Sequence, residues 1–181
     1  MAFRAFSGID GKTALLLAPP GSSTASLVFG WDQHLFLSLL AASPQGEATL
    51  PGYWRALFSR GVTQVVVLLG ATAGATATVV WRHGGLLRRK GAMGWYTAAG
   101  LLALGHFAFV PAVAGRIRDI LDGDAELDHA EDEGKRTAKE EKKRDVVQLQ
   151  RAWLRVRLMR TLTTDLGAWL CAFTAAVKTI S

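Results

Sequence analysis

Hydrophobic and polar positions are segregated along this chain. Residues 61–81 and 91–115 contain no Asp, Glu, Lys or Arg, whereas 124–145 is dense in them. About 20 helical residues cover the roughly 30 Å of bilayer hydrocarbon. The pattern therefore predicts an all-α, four-helix transmembrane bundle with spans at about 23–42, 61–81, 93–115 and 158–178, and a charged, helical, extramembrane extension at 116–157. The first span is placed after Pro19-Pro20-Gly21, which is expected to break a helix, with Ser22 or Ser23 as its N-cap. The stretch Leu50-Pro51-Gly52-Tyr53-Trp54-Arg55 reads as an aromatic loop at the membrane interface. Pro111 is expected to kink the third span.

Composition agrees with that division. Half of the 181 residues are apolar and mean hydropathy is +0.20, although one residue in five is charged. The net charge of +6 does not point to nucleic acid, because the cations sit at the ends of apolar runs or alternate with acids. Glu131 with Lys135, Asp132 with Arg136 and Glu140 with Arg144 have i,i+4 spacing, which suits a water-exposed helix. Cys171 is the single cysteine, so neither a disulfide framework nor a cysteine zinc site is expected. Arg4 and Lys12 precede only a short apolar segment, and no removable signal peptide is expected. There is no internal repeat, P-loop or nucleophile elbow, and the length suits one domain. The basic residues, including the cluster Arg82, Arg88, Arg89 and Lys90, leave sidedness open.

Ionisable groups inside apolar runs carry the candidate chemistry. Each costs at least about 2.5–3.5 kcal/mol near the bilayer centre, so each calls for a partner or a function. Asp32 and His34 lie about 200° apart on a helix and cannot face one cavity. Trp31, His34 and Ser38 share a face and could line a pocket. His106 shares a stripe with Ala99, Leu102, Phe109 and Val113, where an apolar setting favours the neutral imidazole of a general base. The plain alternatives are a His34 held by one interhelical hydrogen bond and a core His106 bonded to a backbone carbonyl or a Thr. Arg160 could bind an anionic oxygen, or form with Asp165 an ion pair that fixes the span in register; Arg157, Thr161 and Asp165 recur every fourth residue. Two histidines on different helices could bind a metal or haem, but no carboxylate-histidine pair has metal-ligand spacing, and no metal site is expected. Gly70 and Gly74, with Ala71 and Ala75, form a small-residue face for another helix or a second copy of the chain.

Three stretches carry a resemblance. These are Leu50 to Arg55 with Phe58 and Gly61; Gly105-His106-Phe107 with Val110-Pro111; and Arg160-Thr161-Leu162-Thr163-Thr164-Asp165 with Ala168-Trp169. Through them, over about 22–180, the chain resembles the anthrone oxygenase-like family of small fungal integral membrane proteins. Gly167 stands where the resemblance leads one to expect proline.

The resemblance implies a four-helix membrane bundle, in some members an enzyme of secondary metabolism that oxidises a polyketide anthrone to an anthraquinone with molecular oxygen and no metal or flavin. It also implies an intracellular membrane such as the endoplasmic reticulum. Chemistry and position, rather than the resemblance, suggest the roles. His106 or His34 would be the base, Arg160 the anion stabiliser and Asp165 the group that orients Arg160 or a histidine. Trp31 and Trp54 would stack on a flat aromatic substrate, beside Ser38 and Thr161. Two other readings share the same residues: a non-catalytic membrane scaffold, and an enzyme of this kind acting on another aromatic or terpenoid compound.

Overall fold

The computed structural model describes residues 10–43, 45–111, 115 and 136–181, and every regular element among them is helical. The elements are α1 (Gly11–Ala42), α2 (Gly46–Arg89), α3 (Met93–Gly105), a 3-10 turn (His106–Phe109), α4 (Arg136–Arg160), a π turn (Thr161–Asp165) and α5 (Leu166–Ile180). They contribute to two compact units. The first draws on Met1–Val28, Val65–His106 and Leu162–Ser181, the second on Phe29–Gln64 and Phe107–Thr161.

The expected break at Pro19-Pro20 does not occur. α1 runs through both prolines, and its actual start is capped by Asp10, whose Oδ1 accepts the Thr13 N–H at 2.8 Å. Proline at position 20 has no N–H for the carbonyl of Leu16, four residues back. That carbonyl accepts instead from the Tyr96 hydroxyl at 2.9 Å, in α3. Ser22 and Ser23, expected as caps, are inside the helix and donate to the Pro19 and Pro20 carbonyls. A tertiary hydrogen bond has overridden a local helix-breaking signal.

α2 likewise begins earlier than its apolar run. The aromatic stretch 50–55 is its first part rather than a loop, and Leu50 and Trp54, four residues apart, point into a core. The element bends at His83, whose φ of −121° and ψ of 18° leave the helical region. It closes with Gly91 at φ 62°. Ala92 N–H donates to the Leu87 carbonyl and Gly91 N–H to that of Arg88, the paired bonds of a Schellman motif. Only glycine adopts that φ freely. Leu87 and Ala92, both fully buried, pack with Val79, Tyr96, Leu16 and Ala175 in the first unit.

Within that unit α3 lies along α5. It also approaches α2 closely: a Cβ on Gly100 would meet Thr76 at 3.3 Å. The departure from α-helix expected at Pro111 starts one turn earlier, as the 3-10 turn at His106–Phe109. Proline clashes with the carbonyl four residues before it, here Phe107, so the turn preceding it tightens.

In the second unit Leu37, Ala41, Leu50, Trp54, Trp153 and Leu154 form the core. This corrects the reading of 116–157 as a solvated extension, since α4 buries Gln150, Trp153, Leu154 and Arg157. α4, the π turn and α5 follow without a break, so the fourth apolar run continues a helical stretch that starts at Arg136. Residues 116–135, with Glu131, Asp132 and Lys135, lie outside the described residues, as do the side chains of Arg136, Glu140 and Arg144. One helical segment among the described residues, Gly52–Arg89, is long and apolar enough to cross a membrane.

Candidate functional site

His106 and Asp165 meet in the first unit, with Nδ1 and Oδ1 2.9 Å apart. Both side chains are almost wholly buried, at 5% and 2% exposure. His106 stands where α3 gives way to the 3-10 turn, and Asp165 closes the π turn before α5. Each is thus held at a change of helical winding, a local feature that often accompanies functional sites. Thr164 places its hydroxyl 3.4 Å from the same carboxylate oxygen. Gly105 faces Thr164 across this contact, where a Cβ would lie 3.9 Å from the Thr164 methyl.

The pairing changes the reading of His106 as a histidine among apolar neighbours only. With an ionised Asp165 and a neutral imidazole, Nδ1–H donates to the carboxylate and the ring lone pair lies on Nε2. A ring fixed in that tautomer can take a proton at Nε2 while the carboxylate steadies the imidazolium that forms.

A second polar cluster lies in the second unit. Trp54 Nε1–H donates to Gln150 Oε1 at 2.8 Å, and its ring meets Trp153 edge to face, with centroids 4.8 Å apart and planes at 80°. The Arg157 guanidinium lies 4.9 Å from the centre of the Trp153 ring, within cation–π range. Gln150, Trp153, Arg157 and Arg160 recur at i, i+3, i+7 and i+10 on α4, and all four are buried. Among the described residues, nothing accepts from Gln150 Nε2 or Trp153 Nε1, and Thr161 Oγ1 and His34 Nδ1 are also unpaired. A buried donor without an acceptor costs about 1–3 kcal/mol.

The other expected site residues are placed differently. Trp31 is 55% exposed and its ring centroid is 6.3 Å from that of His34. Asp32 is exposed and His34 half-buried, as their separation on one helix requires. The Ser38 hydroxyl donates to its own helix, at the Leu35 carbonyl. Trp54 is buried in the core instead of lying in an interfacial belt. Arg160 and Thr161 are buried in the second unit. The sequence reading missed Gln150 and Trp153. Their spacing with Arg157 and Arg160 was the available signal, masked by the charge density just upstream.

Among the described residues, no three side chains of His, Cys, Asp or Glu gather as a metal ion would require. An apolar groove lined by Leu17, Pro20, Thr24, Phe173, Val177 and Ile180 runs along the first unit, with a volume of about 630 Å³. Beside it Trp169 donates to Thr24 and stacks on Phe173.

Comparison with known proteins gives three full-length similarities, two of them at 30% identity or more. An epoxidase from an Acremonium species, pydX, is 32% identical over 171 residues, which cover 92% of this chain and 94% of that protein. The epoxidase gkaX of Penicillium citrinum is 30% identical over 170 residues, covering 91% and 93%. No family model matches the chain, and neither does any solved structure.

Proposed function

The chain belongs to the family of the fungal epoxidases pydX and gkaX, and from that premise we propose that it is a membrane-embedded oxygenase of secondary metabolism that works with molecular oxygen and needs no metal or flavin. The observation that carries the reading is the buried His106–Asp165 pair at 2.9 Å. It supplies an oriented base in a dry setting.

A base suffices when the substrate provides its own electrons. Deprotonation of an anthrone methylene gives a delocalised carbanion that can add oxygen; loss of water from the hydroperoxide leaves the quinone carbonyl. A hydroquinone obeys the same balance. Deprotonated at one phenol, it adds oxygen at ring carbon, and the peroxide closes to an epoxyquinone with release of water. This second outcome agrees with the relatives' name. In both, Nε2 of His106 takes the proton and Asp165 steadies the resulting imidazolium. The flat aromatic substrate would reach the protein from the bilayer.

Membrane embedding is supported by the apolar Gly52–Arg89 segment and by outward-facing Val66, Val67, Leu101, Leu104 and Leu170 on several helices. An intracellular membrane such as the endoplasmic reticulum belongs to the same proposal. So does pairing of two copies across Gly70 and Gly74, where an added Cβ would meet nothing within 4 Å.

The test is oxygen uptake and product formation by membranes containing the full chain, with an anthrone and with a hydroquinone, in the presence of a chelator. Chelator-resistant turnover above the spontaneous rate, lost in His106→Ala, is expected. Rates equal to the spontaneous ones for both substrates would leave a helical scaffold.

A further inference from the structure

Among the described residues of the first unit, exposed charge is gathered at one end. The cations are Lys12, Arg82, Arg88, Arg89, Lys90 and Lys178, and every one is exposed. They stand where α1 begins, where α2 and α5 end, and where the Gly91 turn leads into α3. These places are neighbours, because Leu16, Leu87, Ala92, Tyr96 and Ala175 pack into one core cluster there. Of the described acids in the unit, Asp165 is buried against His106 and Asp10 caps α1 among the cations. Trp81, 82% exposed, precedes Arg82, and the exposed Trp95 precedes Tyr96, as suits indoles at a membrane–water interface.

The apolar groove of the first unit starts at this end. Leu17 and Ile180 line it nearest the cations, followed by Pro20, Gly21, Val177 and Phe173. From Ile180 to Phe173 it follows α5 for about 10 Å, at a rise of about 1.5 Å per residue. Phe173, Val177 and Ile180 are each about half exposed, so the groove is open along its side. Lys178 shares a turn of α5 with Val177 and Ile180, and Lys12 lies in the turn of α1 before Leu17. Farther in, the Trp169 bond to Thr24 ties α5 to α1.

An open apolar trough with cations at its mouth complements a molecule that has a hydrocarbon tail and an anionic head. We propose that the groove binds an anionic phospholipid, with an acyl chain along Leu17, Pro20, Phe173 and Val177 and the phosphate held by Lys12 and Lys178. Lysine suits the role, since its stem lies along apolar surface while the ammonium meets phosphate. The site goes beyond the oxygenase chemistry and rests only on the membrane part of that reading, which brings lipid to the groove. A second copy of the chain is a poorer occupant, because twofold pairing with parallel helices would set one cationic end against another. A neutral aromatic ligand would leave the cations unused.

Native mass spectrometry of the purified full chain in detergent, with dioleoylphosphatidic acid or dioleoylphosphatidylcholine added, reads occupancy directly. Wild type is expected to hold one phosphatidic acid about tenfold more tightly than phosphatidylcholine. Lys12→Gln/Lys178→Gln should remove most of that preference and leave phosphatidylcholine binding unchanged. Gly21→Leu should weaken both lipids about tenfold. Gly21 lines the groove and an added Cβ there meets nothing within 4 Å, so the new side chain fills the trough while favouring the helix. Arg60→Gln/Arg151→Gln removes the same charge from exposed sites of the second unit and should change neither lipid. Glycerol 3-phosphate, a head without tails, should not compete.

Equal binding of the two lipids by wild type, or a preference that survives in Lys12→Gln/Lys178→Gln, overturns the proposal. Full competition by glycerol 3-phosphate would also overturn it, by reducing the site to its cations. A dimer that Gly21→Leu splits, with no lipid retained, would assign the groove to a second copy, and displacement of phosphatidic acid by stoichiometric anthrone would assign it to an aromatic ligand. Embedding is measured separately, by extraction of membranes at alkaline pH. A chain released there that still shows the lysine-dependent preference would sink the membrane reading and leave the lipid site. A chain that resists extraction without that preference would do the reverse.

Discussion

The two buried polar clusters solve the same problem in opposite ways. In the first unit His106 and Asp165 complete each other, acid against base, from two elements far apart in sequence. In the second unit Trp54 occupies one side of Gln150, while the remaining amide and the neighbouring indole are left with donors facing no described acceptor. Burial costs both clusters their water. The first recovers hydrogen bonding within the protein. The second leaves two buried donors without a described acceptor, at a cost in stability.

Substitutions can break that contrast. The largest effect is expected from His106→Ala, which should lower turnover by about a hundredfold or more while the helical signal is retained. Asp165→Asn should cost less, because the ring remains while its orienting charge is lost. The comparison of kcat with thermal stability for both variants distinguishes a base from a structural histidine.

In the second unit, Trp54→Phe strands another polar atom of Gln150 and should destabilise the ligand-free protein by about 1–3 kcal/mol. The double variant Trp54→Phe/Gln150→Leu removes both partners and should recover much of that loss. A double variant no more stable than the single would mean that Gln150 is satisfied elsewhere.

Tyr96→Phe deletes the donor to the Leu16 carbonyl and should destabilise by about 1–2 kcal/mol. Pro20→Ala supplies an N–H for the same carbonyl, so in its presence the Tyr96→Phe cost should shrink. Additive losses in thermal unfolding would show the bond to be incidental.

The smallest effect is at Asp10. Hydrogen bonds from the Thr13 side chain and N–H hold its carboxyl below the ordinary carboxylate range. Its contribution to the first turn is present above that ordinary range and is lost as pH falls through the lowered folded-state value. Hydrogen exchange at Thr13 should therefore quicken, relative to exchange deeper in α1, only in strongly acidic solution. Asp10→Asn should remove this pH dependence.

The apolar runs were legible as helices because hydrophobic length needs no tertiary information. The ends of the helices were not. Pro19-Pro20 reads locally as a break, and only the distant Tyr96 hydroxyl shows why it is none. His106 and Asp165 were legible as candidates because an ionisable residue in an apolar run is costly wherever it points. Their pairing depended on a packing of α3 against α5 that no spacing rule contains. Gln150 and Trp153 escaped notice for the opposite reason: polar residues near a charged stretch attract no attention until burial is known. Trp31 looked like a stacking ring from its helical face, yet the face alone could not tell that it stays exposed.

The bond between Tyr96 and Leu16 also sets an order of events during synthesis. The carbonyl freed by Pro20 leaves the ribosome 80 residues before the hydroxyl that completes it. Until α3 is made, α1 carries an open acceptor in its second turn, which water or another partner must serve. A chain stopped before residue 96 should therefore expose the Pro19-Pro20 region to protease, and lengthening it past α3 should close that window.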